Sequence, residues 1–364
     1  MRISLALALL ALTALPVAAD QPCRAAKTKT GAVAPVIAAL EKLRPLLSVE
    51  QRAAMEKPFD AAQATHWSNL PIAIVPRTGL RLGDLTEAQA TAARAVFAAT
   101  LSACGLELLD EVRLADDYLA PFDKGAIGWN GGNYYLSVLG APSAKTPWML
   151  QLGGHHLAYN VVFNGHEPGA TPLFFGSEPI RFEMQGKTHE PVAAQSTAMS
   201  TLAAAIATHP GAKLSGTFTD VVKGVIMKRA PGTSGPVGLS GGVDSGFPHS
   251  YPTGDVDRGV RVGTLNAAER QLVRAAIESY ATLPGNAISA PLLAAYEDAA
   301  ALDQTYVGFA GATDFSVKGS YVRIDGPRVW MEMVVQPAIA KPEDLHFHAL
   351  WRDKTADYGG EVQR

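Results

Sequence analysis

The chain has 364 residues, 48% hydrophobic and 18% charged, a globular composition that excludes a disordered chain. With 31 basic and 34 acidic residues the formal net charge is −3, so no cationic excess marks a nucleic-acid-binding face. Aromatics make up 7% against 34 glycines and 24 prolines, which predicts many tight turns between elements.

The N-terminus opens with Arg2, an apolar run from Ile3 to Leu15, the helix breaker Pro16 and the small residues Val17-Ala18-Ala19. This pattern predicts a secretory signal peptide over residues 1–19, cut after Ala19, and hence a periplasmic or secreted protein. The run is too short to span a bilayer, and no later stretch reaches about 18 unbroken apolar residues, so no stable membrane insertion is expected after cleavage. Asp-Gln-Pro precedes Cys23, where a lipid-attachment motif needs small apolar residues. Cys23 and Cys104 are the two cysteines, and an oxidising compartment permits a disulfide between them.

Residues 20–57 read as an N-terminal helical segment: loose to about residue 31, then helices from Val33 to Lys57 interrupted at Pro45. Residues 58–364 read as a single α+β domain. Pro58 to Arg77 is irregular. Thr86, with Gln89 three residues on, forms a capping box for a helix running to about Ser102 and stopping before Gly105. A second helix is expected from Leu106 to about Tyr118. Tyr134 to Leu139, Trp148 to Phe163 and Leu173 to Phe175 read as strands of an antiparallel sheet. Residues 191–207 are helical, and the tract 208–262 is a loop-rich linker. Asn266 and Glu269 cap a second helical pair, to about Ala281 and from Ile288 to Leu302. Strands then follow at Tyr306–Ala310, Tyr321–Ile324, Val329–Val335 and His346–Trp351, with Asp325-Gly326 as a hairpin turn. The segments LTEAQATAARAVF and LNAAERQLVRAAI resemble each other, as do YYLSVLGAP and YVGFAGATD. Two α+β halves, 80–185 and 260–355, are therefore expected to be related by internal duplication, with their strands joined in one sheet. The expected fold class is α+β: antiparallel sheet with flanking helices.

Of the nine histidines, four fall in two tight clusters. His346-Phe347-His348 on a strand puts two imidazoles on one face about 7 Å apart, a way to offer two ligands to one metal. His155-His156, in Gly-Gly-His-His-Leu, point to opposite faces if they lie in a strand, unless Gly153-Gly154 forms a bulge. The His156 face carries Ala158 and Asn160 and is the more open, so His156 is the expected third metal ligand, with His155 packed and hydrogen-bonded beside it. Glu332 interrupts the apolar run from Val329 to Val335, and a carboxylate there needs a partner or a metal. Its position one loop before the histidine strand makes it a candidate ligand or general base. Arg352 shares the face of His346 and His348 and is a candidate for holding an anionic group or developing oxyanion. The site expected from these patterns has His156, His346 and His348 as ligands of a divalent metal, zinc or copper. Glu332, Arg352, His155 and Asn160 stand as its candidate catalytic groups. Gly238-Leu239-Ser240-Gly241-Gly242 matches the nucleophile-elbow pattern but is flanked by glycine- and proline-rich loop on both sides, so Ser240 reads as loop. Asp255-Val256-Asp257 lacks EF-hand ligand spacing.

These motifs together resemble the uncharacterised domain-of-unknown-function family number thirty-five hundred, from Pro58 to Gly359. The matching pieces are F-D-x(5)-H-W-S-N-L-P at Phe59–Pro71, the Tyr134-Tyr135 strand with Gly140, P-W-x-x-Q-L-x-G-H-H-L-x-x-N at Pro147–Asn160 and F-F-G-x-E-P at Phe174–Pro179. Y-x-R-I-D-G-P at Tyr321–Pro327 with Glu332, and H-x-H-x-x-W-R-D-x-x-x-D-Y-G at His346–Gly359, complete the set. Ser68 stands where many family members carry a histidine after the tryptophan. The resemblance brings no activity with it. It implies that both histidine pieces share one domain, and it points to Asn160, Glu178, Arg352, Asp353 and Asp357. Two functions fit: an exported metal-dependent hydrolase acting on a small molecule, or a periplasmic metal- or small-ligand-binding protein without turnover.

Overall fold

A computed structural model describes residues 30–123, 127–167, 169–221 and 251–362. The expected signal peptide, Cys23 with the expected Cys23–Cys104 pairing, and Ser240 lie outside the described residues.

Local signals set the helices. Helix α1 (Val33–Leu43) buries Val36, Ala39, Leu40 and Leu43 at helical spacing, and Pro45 then enters a short 3-10 turn. α2 (Val49–Met55) starts on a Ser48–Gln51 capping box. The two-residue strand β1 (Glu56–Lys57), the single turn α3 (Ala61–Ala64) and the short β2 (Leu80–Arg81) follow. Thr86 and Gln89 form the expected box at the start of α4 (Glu87–Thr100). α5 (Ala103–Leu119) is capped by Ser102 and runs straight through Gly105, which therefore stops no helix. A Cβ at Gly105 would lie 2.0 Å from the Leu283 carbonyl oxygen, so glycine is there to let two backbones touch.

Strands β3 (Tyr135–Leu139), β4 (Trp148–Gly154), β5 (Leu157–Phe163) and β6 (Leu173–Ser177) come next. The expected strand from Trp148 to Phe163 is a hairpin, because a two-residue turn at His155-His156 separates β4 from β5. The small hairpin β7 (Phe182–Met184) and β8 (Lys187–His189) precedes α6 (Ala193–Ile206). The second half begins with β9 (Val260–Arg261), then α7 (Ala267–Ala281) on its Asn266–Glu269 box, α8 (Asn286–Tyr296) and α9 (Ala299–Asp303). It ends with β10 (Tyr306–Ala310), β11 (Tyr321–Asp325), β12 (Val329–Pro337) and β13 (Leu345–Asp353).

The strands form one 11-stranded sheet, and the separate small hairpin β7–β8 stands apart from it. β6 pairs antiparallel with β13. From this seam the order runs outward through β5, β4 and β3 on one side and through β12, β11 and β10 on the other. The sheet segments of the two halves are thus continuous, as the sequence suggests. Among the described residues every ladder of this sheet is antiparallel except β1 with β3.

Side-chain alternation divides the two faces. On β13, Phe347, Ala349 and Trp351 point into the larger core, which holds the apolar stripes of α1, α4, α5, α6, α7 and α8. At about 1.5–3 kcal/mol for each large apolar side chain buried, this helix-backed face supplies most of the driving force for folding. His346, His348, Leu350 and Arg352 alternate onto the other face, where a smaller cluster gathers Trp67, Ala158, Phe174, Tyr321, Leu350 and Tyr358. The candidate site lies on this second face, beside the β6–β13 seam.

Candidate metal centre

Three elements bring the histidines together. Period-two alternation on β13 puts His346 and His348 on one face, with His348 opposite Gly176 of β6. Glycine leaves room there, and a Cβ at Gly176 would meet His156 Cδ2 at 3.1 Å and His348 Cδ2 at 3.3 Å. The third ring comes from the β4–β5 hairpin tip, where His156 takes a left-handed conformation, φ 57°. Histidine tolerates that region better than most residues. The Asn69 carbonyl accepts from the His156 amide at 3.4 Å, and the His156 carbonyl accepts from Gly176 N at 2.8 Å, so the tip is tied to both neighbours.

The rings meet nitrogen to nitrogen. His348 Nε2 lies 3.2 Å from His156 Nε2 and 3.2 Å from His346 Nε2. The ligand atoms of all three lie within 4.8 Å of one another, and all three residues are buried. Two nitrogens bound tetrahedrally to one ion at about 2.0–2.1 Å stand about 3.3 Å apart, close to the spacing seen. Burial, and then the neighbouring imidazoles, hold His156 well below the ordinary histidine range; His346 is lowered for the same reasons. Both rings are therefore neutral near pH 7, the form that offers a lone pair. These three buried histidines can hold a metal ion.

Carboxylates stand behind the rings. Asp220 Oδ1 lies 2.8 Å from His348 Nδ1. Glu178 Oε1 accepts from the amides of Ile339 and Ala340 at 2.6 and 2.7 Å, while its Oε2 lies 3.9 Å from His346 Nδ1. Burial raises the Glu178 carboxyl, and the two backbone amides oppose that shift. Such outer carboxylates fix ring orientation and tautomer at metal centres.

The remaining expected residues have partners of their own. His155 turns to Asp116, with 2.6 Å between His155 Nδ1 and Asp116 Oδ1, and its ring lies against His156, tilted by 30° with centroids 3.7 Å apart. Tyr134 completes that group, its hydroxyl donating to the His155 carbonyl at 2.5 Å and reaching Asp116 Oδ2 at 3.0 Å. Burial raises the Asp116 carboxyl, against the lowering effect of His155. No bulge forms at Gly153-Gly154; a Cβ at Gly154 would strike the Asn133 carbonyl at 2.7 Å, so close packing explains that glycine. Glu332 is on the histidine face but opposite Leu350, two residues past His348, and Tyr321 donates to its Oε1 at 2.5 Å. Arg352 lies four residues past His348 and donates to Asp357 Oδ2 at 2.5 Å in a fully buried ion pair. Asn160 is held by Gln151 at 2.9 Å and by the Pro172 carbonyl at 2.7 Å. Among the described residues, Glu332 is not in the group of acidic, histidine and cysteine side chains whose ligand atoms converge.

Sequence reasoning missed Asp220 and Asp116. Asp220 sits in irregular chain with no local pattern to single it out. Asp116 carries a signal, since it falls on the buried stripe of α5 with Leu109, Val112 and Leu119. A charged residue on an apolar helix face needs a buried partner, and His155 is that partner.

Fold and site together define an α+β protein with a helix-backed antiparallel sheet and a buried three-histidine cluster suited to a metal ion. The chain belongs to the family described as Protein of unknown function (DUF3500), whose model matches residues 29–360. No curated protein and no solved structure matches the chain.

Proposed function

We propose that the protein is an exported metal-dependent hydrolase with zinc or copper held by His156, His346 and His348. The observation that carries this is the convergence of three buried imidazoles at ligand spacing, with Asp220 on the outer nitrogen of the central ring. Three neutral ligands leave a divalent ion its full charge. A fourth position filled by water is the usual arrangement in catalytic zinc sites, where the ion lowers the pKa of that water to about 7 and supplies a hydroxide nucleophile. In this reading Asp220 orients His348 and raises its basicity. Export is part of this proposal: it draws on the signal-peptide pattern of residues 1–19 and on a Cys23–Cys104 disulfide that an oxidising compartment would permit, and the substrate would be a small molecule met there.

A second reading, metal binding without turnover, draws on the burial of the three rings, each at most 6% exposed. One experiment separates the two. Protein recovered from the periplasm of an expressing bacterium is checked by intact mass for loss of residues 1–19 and for the disulfide. It is then loaded with zinc and assayed against chromogenic carboxylic and phosphoric esters. The expected result is one metal per chain and turnover abolished in His346→Ala. Full metal loading without hydrolysis of any ester would favour the binding reading, and protein that takes up no metal would contradict both.

A further inference from the structure

The irregular segment between α3 and β2 leaves a half-open cleft against β4, of about 250 Å³ with its open side included. Its walls include Trp67, Ser68, Arg77 and Thr78 from this segment and Gln151 and Gly153 from β4. Gln151 bonds to Asn160, which alternates onto the same sheet face as Ala158 of the smaller cluster, so the cleft lies on the histidine side of the sheet. Arg77 is the charged group in it. From Nη2 it donates to the carbonyls of Ser68 at 2.7 Å, Leu70 at 2.5 Å and Gly154 at 3.1 Å, and from Nη1 to Val75. Its Nε is buried and finds no acceptor among the described residues. Asp116 acts on it only as a neighbouring charge, because His155 and Tyr134 engage that carboxylate. Burial lowers the guanidinium to about 10, against the opposing pull of Tyr134, Tyr135 and Asp116, so it is charged at neutral pH. A largely buried cation held by neutral carbonyls is costly, and a buried N–H seldom lacks an acceptor.

We propose that this cleft binds the carboxylate of a small organic acid, with Arg77 as its counter-ion and Ser68 as a second donor. Guanidinium and carboxylate match in both charge and planar geometry. One carboxylate oxygen takes the Nε proton of Arg77. Ser68 Oγ already accepts from the Leu70 amide at 3.0 Å, which leaves its own proton for the second oxygen. The enclosed part of the cleft has room for one small group. The indole of Trp67, whose Nε1 donates to the Tyr358 hydroxyl at 2.9 Å, offers the hydrocarbon remainder an apolar wall. Phosphate has no apolar part to use that wall, and more oxygens than these two donors serve. The site shares no side chain with the three histidines and depends on no ion there. It adjoins them through the backbone. Arg77 holds the Gly154 carbonyl two residues before His156, and the carbonyl of Asn69, next to Ser68, accepts from the His156 amide at 3.4 Å. An acid held here therefore lies against the hairpin tip that carries His156.

Titration of the full chain, labelled with 15N-arginine and free of added metal, tests this with propionate as the probe. The Nε–H signal of Arg77, assigned by its loss in Arg77→Lys, is expected to shift downfield and saturate as propionate is added. Chloride at matched ionic strength is expected to leave it in place, and phosphate to bind more weakly than propionate. This readout is made on the wild type and depends on no variant's folding. Ser68→Ala keeps the backbone carbonyl that Arg77 holds and removes the second donor. It is expected to weaken propionate binding roughly 10–100-fold, the loss of one hydrogen bond to a charged group. An Arg77 signal that never saturates, an equal response to chloride, tighter binding of phosphate than of propionate, or full propionate affinity in Ser68→Ala would each overturn the inference. None of these results bears on the metal reading, which zinc uptake tests separately.

Discussion

His348→Ala is expected to lose stoichiometric divalent metal while keeping its fold. His348 is the middle ring, 3.2 Å from each of the other two nitrogens, so its removal leaves no pair of ligands at that spacing. Each protein ligand is a large share of the roughly 10–16 kcal/mol that structural zinc sites provide, and a centre reduced to two imidazoles does not compete with buffer for the ion. The cost to the fold is smaller. The substitution removes a ring beside Phe174 and Gly176, and the carboxylate it releases, Asp220, is 31% exposed and can turn to water. A cavity cost of about 2–4 kcal/mol is expected, within the reach of a domain with a core this extensive. Elemental analysis beside circular dichroism checks both halves of the expectation. A variant that retains one metal per chain, or a wild type that never holds any, would refute it.

Asp357→Ala is expected to destabilise the protein by about 3–5 kcal/mol without changing metal stoichiometry in the folded fraction. Arg352 is fully buried and Asp357 is 3% exposed, and truncating one member of a buried ion pair is strongly destabilising. Asp357 Oδ1 also accepts from the Asp353 amide at 3.0 Å. The carboxylate thus fixes the turn that follows β13, in which Tyr358 has φ 55° and its hydroxyl accepts from Trp67 Nε1 at 2.9 Å. Loss of this anchor frees the C-terminal turn from the sheet. Urea denaturation monitored by tryptophan fluorescence gives the stability, and elemental analysis of the folded protein gives the stoichiometry. Loss of metal with unchanged stability would return Arg352 to the site.

What could be read from the sequence follows from periodicity. The H-x-H pair was legible because strand alternation fixes both rings to one face whatever the rest of the fold does. The capping boxes at Thr86 and Asn266 were legible because they are closed within four residues. His156 was legible as the ring that joins the pair, although the turn that aims it was not, since Gly-Gly-His-His in an apolar run reads as strand. The contacts that the sequence did not reveal are those whose partner lies far along the chain. Glu332 needed a partner, and nothing local says that Tyr321 on the neighbouring strand is one. Arg352 on the histidine face looked available to a ligand until the chain turned back and brought Asp357 against it. Gly105 read as a helix stop because its cause is the carbonyl of Leu283, 178 positions away. Glu178, to which the family resemblance pointed, proved to stand directly behind His346.

X-ray absorption at the metal edge of the zinc-loaded protein tests the central claim most directly, because it reports the identity and distance of the ligands. The account predicts nitrogen neighbours at about 2.0–2.1 Å with outer-shell scattering from three imidazoles, and the loss of that signature in His348→Ala. A first shell of carboxylate and water oxygens without imidazole scattering, or a spectrum unchanged by His348→Ala, would contradict it.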